Sequence, residues 1–133
     1  MRYNNNVKRY CVILICFILL CGFQFNKHVR GGYPASGTAS WYNPRLTASG
    51  ERYHQGQFTC AMRKRDFGKS YLVCNLKNNK CVEVKQNDFG TAFYLFAIGR
   101  IIDLSRDAFS KIAEKKKGVI YVRIGEVYSG QVD

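Results

Sequence analysis

The stretch VIYVRIGEV at residues 119–127 alternates along its length: Ile120, Val122 and Ile124 fall on one side of an extended chain, and Tyr121 and Arg123 fall on the other. A period of two marks a strand with one buried and one wet face. Five earlier segments have similar strand character, GTASWYN at 37–43, QFTCAM at 57–62, SYLVCNL at 70–76, CVEVKQN at 81–87 and RIIDLS at 100–105. Short strands at this spacing predict a small closed or nearly closed β architecture. The 133 residues suffice for one domain and are too few for two ordinary cores with a linker.

One helix is predicted among the strands. Ser105 suits its N-cap, Asp107 its first turn, and Ala108, Phe109, Ile112 and Ala113 form one apolar face. The lysine run at 115–117 is expected to meet the negative end of this helix, with Gly118 as its stop, and so serves the helix rather than a ligand. The aromatic stretch TAFYLFAIG at 91–99 is expected to cover the core in preference to walling a groove.

Residues 1–26 differ from the rest. Arg2, Lys8 and Arg9 precede the uncharged run CVILICFILLCGF at 11–23, the layout of a signal peptide or N-terminal hydrophobic anchor. Its thirteen residues fall short of the roughly 20 that span a bilayer as a helix. Residues 27–37, KHVRGGYPASG, then read as a linker, 38–128 as the folded domain and 129–133 as a tail. Export to the periplasm or cell envelope is the expectation, with the N-terminus as a candidate membrane anchor.

The formal charge is +12, and without residues 1–26 the chain keeps 18 basic against 9 acidic groups. Such a surface favours acidic wall polymers or a membrane surface, while an export signal argues against nucleic acid. The cluster Arg63-Lys64-Arg65 is expected to be a solvated loop. The sequence holds no P-loop, dinucleotide glycine motif, GxSxG elbow or HExxH, so the enzyme classes built on those motifs find no support.

Three of the six cysteines lie in the N-terminal run, leaving Cys60, Cys74 and Cys81 for the domain. If Asn78 and Asn79 make a two-residue hairpin, Cys74 faces Glu83, and Cys81 lies one pair away on the same face. Both a diagonal Cys74–Cys81 bridge and free thiols stay open on that reading. With no close Cys-x-x-Cys pair and only His54 nearby in type, neither a metal nor another cofactor is expected.

Three pieces, TASGERY at 47–53, QNDFG at 86–90 and GRIIDLS at 99–105, set an acid beside turn formers or at a strand end. Taken in order, GTASWYN, TASGERY, TCAMRKRDFGK, NDFG and GRIIDLS resemble the rare lipoprotein A family of double-psi β-barrels, which is related to expansins. The resemblance runs over residues 36–127. It implies a mainly β domain, a six-stranded double-psi β-barrel with one short helix after RIIDLS, and a shallow groove for a glycan strand.

Some members of that family are lytic transglycosylases that cut peptidoglycan between N-acetylmuramic acid and N-acetylglucosamine and leave a 1,6-anhydro end. Expansin-like relatives loosen walls without measurable hydrolysis, so a non-catalytic glycan-binding module is the second reading. Retention on an anionic surface by charge alone is the third. The protein is expected to act as a monomer on peptidoglycan strands.

Carried onto this chain, the family's acidic pair falls on Glu51 and Asp88, and its aromatic entry motif on Trp41 and Tyr42. Strand alternation lets only one of those two aromatics face sugar, the other belonging to the core. Asn87 and Phe89 flank the acid as expected substrate contacts. Members often read NDRGP where this chain has Phe89 and Thr91 at the Arg and Pro positions, and many carry a histidine in place of Met62. The first departure alters how the loop holds sugar, and the second removes a polar partner.

Making an anhydro end requires one group to protonate the departing oxygen and then take the proton of the sugar's own 6-hydroxyl. Asp88 is expected in that role, kept protonated by apolar cover from Phe89 and by the neighbouring carboxylate of Glu51, which also positions substrate or stabilises the oxocarbenium-like centre. Asp103, in an otherwise apolar strand, is expected to have only a structural role.

Overall fold

The computed structural model describes residues 35–128. The alternation of the last strand is present in space: Val122 and Ile124 are buried and Tyr121 and Arg123 exposed, with Ile120 packed against the core. This strand, β6 (Val119–Val127), is one of six. The others are β1 (Ala35–Tyr42), β2 (Thr59–Met62), β3 (Ser70–Asn75), β4 (Cys81–Phe89) and β5 (Arg100–Ser105). They close into a barrel in the order β1-β5-β2-β4-β3-β6. β1/β5 and β2/β4 run parallel, and the other four contacts are antiparallel.

Closure gives every strand two neighbours, which removes the edges a small open sheet would expose. β1 begins at Ala35, so the expected linker ends earlier than 37. The N-terminal hydrophobic run and the tail at 129–133 lie outside the described residues.

The interior is filled by Val73, Val82, Val84, Ile102, Leu104, Val122 and Ile124, with the small side chains of Ala39 and Cys60 where strands converge. One end is covered by α2 (Arg106–Ile112), whose Ala108, Phe109 and Ile112 are buried in the same core. The shorter helix α1 (Phe93–Ala97) precedes β5. It is not a core cover: Phe93, Tyr94, Phe96 and Ile98 are all exposed, Phe93 and Ile98 by 72% and 78%. The helix is five residues long and has no buried side chain.

Two features around α2 differ from expectation. Ser105 occupies the N-cap position, yet its hydroxyl makes no cap bond. It donates to the Gln57 carbonyl and accepts from the Thr59 amide, tying the start of β2 to the end of β5. The lysine run does not lie on the end of α2. The helix stops at Ile112 and residues Lys115–Lys117 form a separate 3-10 turn, closed by Gly118 at φ 68°.

The β3–β4 hairpin also differs in register. Cys74 stands directly opposite Cys81, and Leu72 rather than Cys74 faces Glu83, because the connection spans residues 76–80 with Asn79 at φ 57°. A disulfide joins Cys74 to Cys81, and Cys60 is a buried free thiol.

Candidate functional site

The site is built where β4 and β2 slip past each other. Cys60 faces Gln86 and Ala61 faces Asp88, so Asn87 is an extra residue, a bulge. A bulge re-aims the side chains that follow it. Gln86 and Cys60 stay fully buried, while Asp88 emerges half-buried beside Ala61. Asp88 thus lies inside β4 rather than in a turn beyond it.

On its other side Ala61 faces Asp103 of β5, and Asp103 in turn faces Ser40 of β1. Asp88, Ala61, Asp103 and Ser40 form one row across four strands, and residues opposite one another in a row share a sheet face. Ile102 and Leu104 occupy the core on either side of Asp103, so the row is on the outer face. Neighbouring strands are about 4.8 Å apart, which separates the two aspartate backbones by roughly 10 Å with only the methyl of Ala61 between them.

The two carboxylates have different partners. Asp88 Oδ2 accepts from the Tyr42 hydroxyl at 2.9 Å, and Oδ1 accepts from the backbone amides of Ala48 at 2.8 Å and Phe89 at 2.9 Å. Among the described residues Asp103 is bound by two hydroxyls: Ser40 donates to Oδ1 and Thr91 to Oδ2, the latter at 2.8 Å. Burial, reinforced by the charge of Asp88, its hydrogen bond and the charge of Asp103, pushes the Tyr42 phenol far up, so it stays a proton donor at any ordinary pH.

The segment after β4 lies tightly on this row. A Cβ on Gly90 would sit 2.8 Å from the Ala61 methyl and 4.0 Å from Asp103 Oδ2. Glycine is therefore needed there for close approach. Thr91 follows at φ 70°, unusual for a β-branched residue. Its hydroxyl bond to Asp103 and the Arg63 guanidinium on its carbonyl at 3.3 Å hold it in place.

Glu51 sits to one side. The 47–51 turn docks on β4 through the Ser49 amide on the Asn87 carbonyl, and the Glu51 carboxylate accepts from Asn87 Nδ2 at 3.1 Å and Lys85 Nζ at 3.0 Å. The Asn87 bond first, then Lys85, holds Glu51 below the usual carboxylate range. The Glu51 carboxylate is thus held by Asn87 and Lys85, while Asp88 takes its hydrogen bonds from Tyr42, Ala48 and Phe89. Asn87 is 1% exposed beneath the turn, so it supports the site from below instead of presenting itself to a ligand.

The aromatic pair separates as alternation requires. Trp41 packs against the core and donates Nε1 to the Lys115 carbonyl at 3.1 Å, with Lys115 Nζ 5.9 Å from its ring centre. Tyr42 faces the outer row. Phe89 lies between two guanidinium groups, Arg65 at 4.3 Å and Arg63 at 5.4 Å from the ring centre, and Arg63 also reaches Phe93 at 5.7 Å. The Arg63-Lys64-Arg65 cluster is thus more than a solvated loop: its arginines lie over the ring of Phe89, the residue after Asp88, while Lys64 pairs with Asp66 at 2.7 Å.

Sequence reasoning gives Asp103 a structural role and does not place it in a row with Asp88. The signal available was its period: in RIIDLS the acid falls on the face opposite Ile102 and Leu104, the outer one. Among the described residues no three His, Cys, Asp or Glu side chains converge as a metal ion would require.

Residues 34–124 match the family described as Lytic transglycolase. The chain is 41% identical over 97 residues to a Synechocystis protein named probable endolytic peptidoglycan transglycosylase RlpA, covering 70% of this chain and 27% of the relative. It is 36% identical over 109 residues to the Neisseria meningitidis endolytic peptidoglycan transglycosylase RlpA, covering 79% and 44%. The chain therefore spans less than half the length of these two relatives. Among solved structures, an expansin of Clavibacter michiganensis in complex with cellohexaose superposes with a TM-score of 0.55 at 18% identity, over 74% of this chain and 52% of that one. A Streptomyces papain inhibitor superposes at 0.59 and 21%, over 76% and 100%. At those identities the structural likeness establishes the barrel alone. The family match and the identities of the relatives carry more, and by them the chain belongs to the lytic transglycolase family of double-psi β-barrels.

Proposed function

We propose that this domain cleaves peptidoglycan between N-acetylmuramic acid and N-acetylglucosamine and leaves a 1,6-anhydro end, with Asp88 and Asp103 as its two working carboxyl groups. The observation that carries the reading is the row on the outer face, where the two acids flank Ala61. The names of the relatives support the reaction class.

Their partners divide the roles. Backbone amides only donate, so the Ala48 and Phe89 N–H groups suit a carboxylate that stays negative throughout. Asp88 is then the anion that stabilises positive charge developing at C1 of the muramic sugar. Hydroxyls donate or accept, so Ser40 and Thr91 can follow Asp103 through a change of protonation without losing a bond.

Asp103 then delivers its proton to the glycosidic oxygen as the C1–O bond breaks. The resulting carboxylate takes the proton of the 6-hydroxyl as that oxygen closes on C1. No water is consumed, and the acid ends as it began. This exchanges the roles expected from the sequence, where Asp88 carried the proton and Asp103 was structural. Glu51 acts at one remove, holding the 47–51 turn so that the Ala48 amide reaches Asp88. Exposed Phe93 and Tyr94 offer flat apolar surface to pyranose rings beyond the acids.

The test is mass spectrometry of products released from purified peptidoglycan. The parent releases anhydro-muropeptides; Asp103→Asn lowers release about 10²- to 10⁴-fold, the usual range for losing a general acid. Asp88→Asn lowers it too, and both variants keep the parental circular dichroism. The second reading, a non-catalytic glycan-binding module, is favoured by Met62, which places a thioether where many members have an ionisable ring. It predicts retention on insoluble peptidoglycan with no new chain ends. Export to the cell envelope and attraction of the basic surface to anionic polymer or membrane there complete the proposal.

A further inference from the structure

The molecule carries a second candidate site away from the aspartate row. A cavity of about 800 Å³ opens between the 75–80 hairpin, the end of α2 and the 3-10 turn, and it is lined by Lys77, Lys80, Lys111, Lys115 and Lys117 with Tyr121 beside them. The one acid on the lining, Glu114, is paired with Lys116 at 2.7 Å. Among the described residues no carboxylate pairs with Lys77, Lys80 or Lys117.

This convergence is built by specific contacts. Asn75 Nδ2 and Asn78 Nδ2 both donate to the Ile112 carbonyl, at 2.9 and 3.0 Å, and pin the hairpin to the last turn of α2. Asn75 Oδ1 and Asn78 Oδ1 then accept from the amides of Lys77 and Lys80, fixing the backbone from which those lysines project. The Cys74–Cys81 disulfide closes the base of the hairpin. On the opposite wall, Trp41 holds the 3-10 turn through the Lys115 carbonyl.

Among the described residues several other lysines are paired with acids: Lys64 and Lys69 with Asp66, Lys69 with Glu126, Lys85 with Glu51. Here five lysines line one concavity, and the one acid on the lining, Glu114, is taken by Lys116. Like charges held together without acids repel and weaken the fold, a cost that a multiply charged anion in the cavity removes.

We infer that this cavity binds a soluble oligophosphate or a segment of a phosphodiester polymer. A cavity of this size lies within the roughly 300–1,000 Å³ typical of ligand sites, room for several phosphate units in contact with lysines on both walls. A flat lipid surface would meet only the rim of the concavity, whereas a flexible phosphate chain can follow the exposed lysines along its walls. The inference is independent of the proposed cleavage, whose residues lie on other strands.

The test is calorimetric titration of the full chain with sodium tripolyphosphate. Binding that falls at least tenfold in Lys77→Gln/Lys80→Gln/Lys117→Gln and weakens as salt rises is the expected result. The control Arg45→Gln/Arg52→Gln/Lys64→Gln removes the same charge elsewhere and should retain most of the affinity; so should Asp103→Asn. If the triple variant unfolds by circular dichroism, Lys77→Gln and Lys117→Gln singly should each weaken binding about twofold or more. Absence of tripolyphosphate binding, equal losses in variant and control, or binding confined to phosphatidylglycerol vesicles would each overturn the inference.

Discussion

Replacing Gly90 with alanine probes the link between close packing and the aspartate row. The added Cβ would stand 2.8 Å from the Ala61 methyl, against the roughly 3.5–4.0 Å at which carbon atoms rest. About 1 Å must be found by moving the 90–91 segment outward, since Ala61 is held in β2 between two strands. Gly90 has no left-handed φ to lose, so the cost is overpacking alone, about 1–2 kcal/mol. For a domain of this size that lowers Tm by roughly 4–12 °C.

Thr91 moves with Gly90, and the Thr91–Asp103 bond lengthens from 2.8 Å. A displacement near 1 Å at a reacting group can cost about 10²-fold in rate, so anhydro-muropeptide release should fall roughly 10- to 100-fold. Adding Ala61→Gly removes the methyl in the way and leaves Asp103 Oδ2 at 4.0 Å as the nearest contact. The double variant should therefore regain activity, while keeping a strand-glycine penalty of about 0.5–1 kcal/mol. Thermal melts and product release on the parent, both single variants and the double variant complete the cycle. A Gly90→Ala protein with parental Tm and activity, or a double variant no more active than Gly90→Ala, would refute the reasoning.

Tyr42→Phe removes one of the three donors on Asp88 and should cost about 1.5–3 kcal/mol in urea unfolding, the range for a bond to a charged group. Cys74→Ser with Cys81→Ser opens a short loop, seven residues apart, and should cost about 2–3 kcal/mol by the loop-entropy relation, read as a lower Tm matched by the reduced parent. Because the folded protein holds Glu51 below its usual range, its ionised form is favoured by folding. That contribution is present above the unfolded value, near pH 4.5, and is lost as pH falls through the lower folded one. Glu51→Gln should accordingly show a shallower decline in stability on acidification below about pH 5 than the parent; identical acid profiles would exclude the Asn87 and Lys85 contacts as its cause.

Much of the barrel is local in origin and so legible in the chain. Alternation in 119–127 and 70–76, the apolar face of 108–112 and the turn formers between them are consequences of backbone geometry and side-chain chemistry over a few residues, and they reappear in β6, β3 and α2. The ordered motifs from GTASWYN to GRIIDLS pointed to the family. What local pattern cannot contain is register between strands distant in sequence. A one-residue bulge at Asn87 decides that Asp88 shares a row with Asp103, fifteen positions on, and Glu51 is held by Lys85 and Asn87. The aromatics of 93–98 likewise face water, although their composition suits a core. Local propensity thus chose the elements, whereas burial and pairing across the closed sheet chose which carboxylates became neighbours.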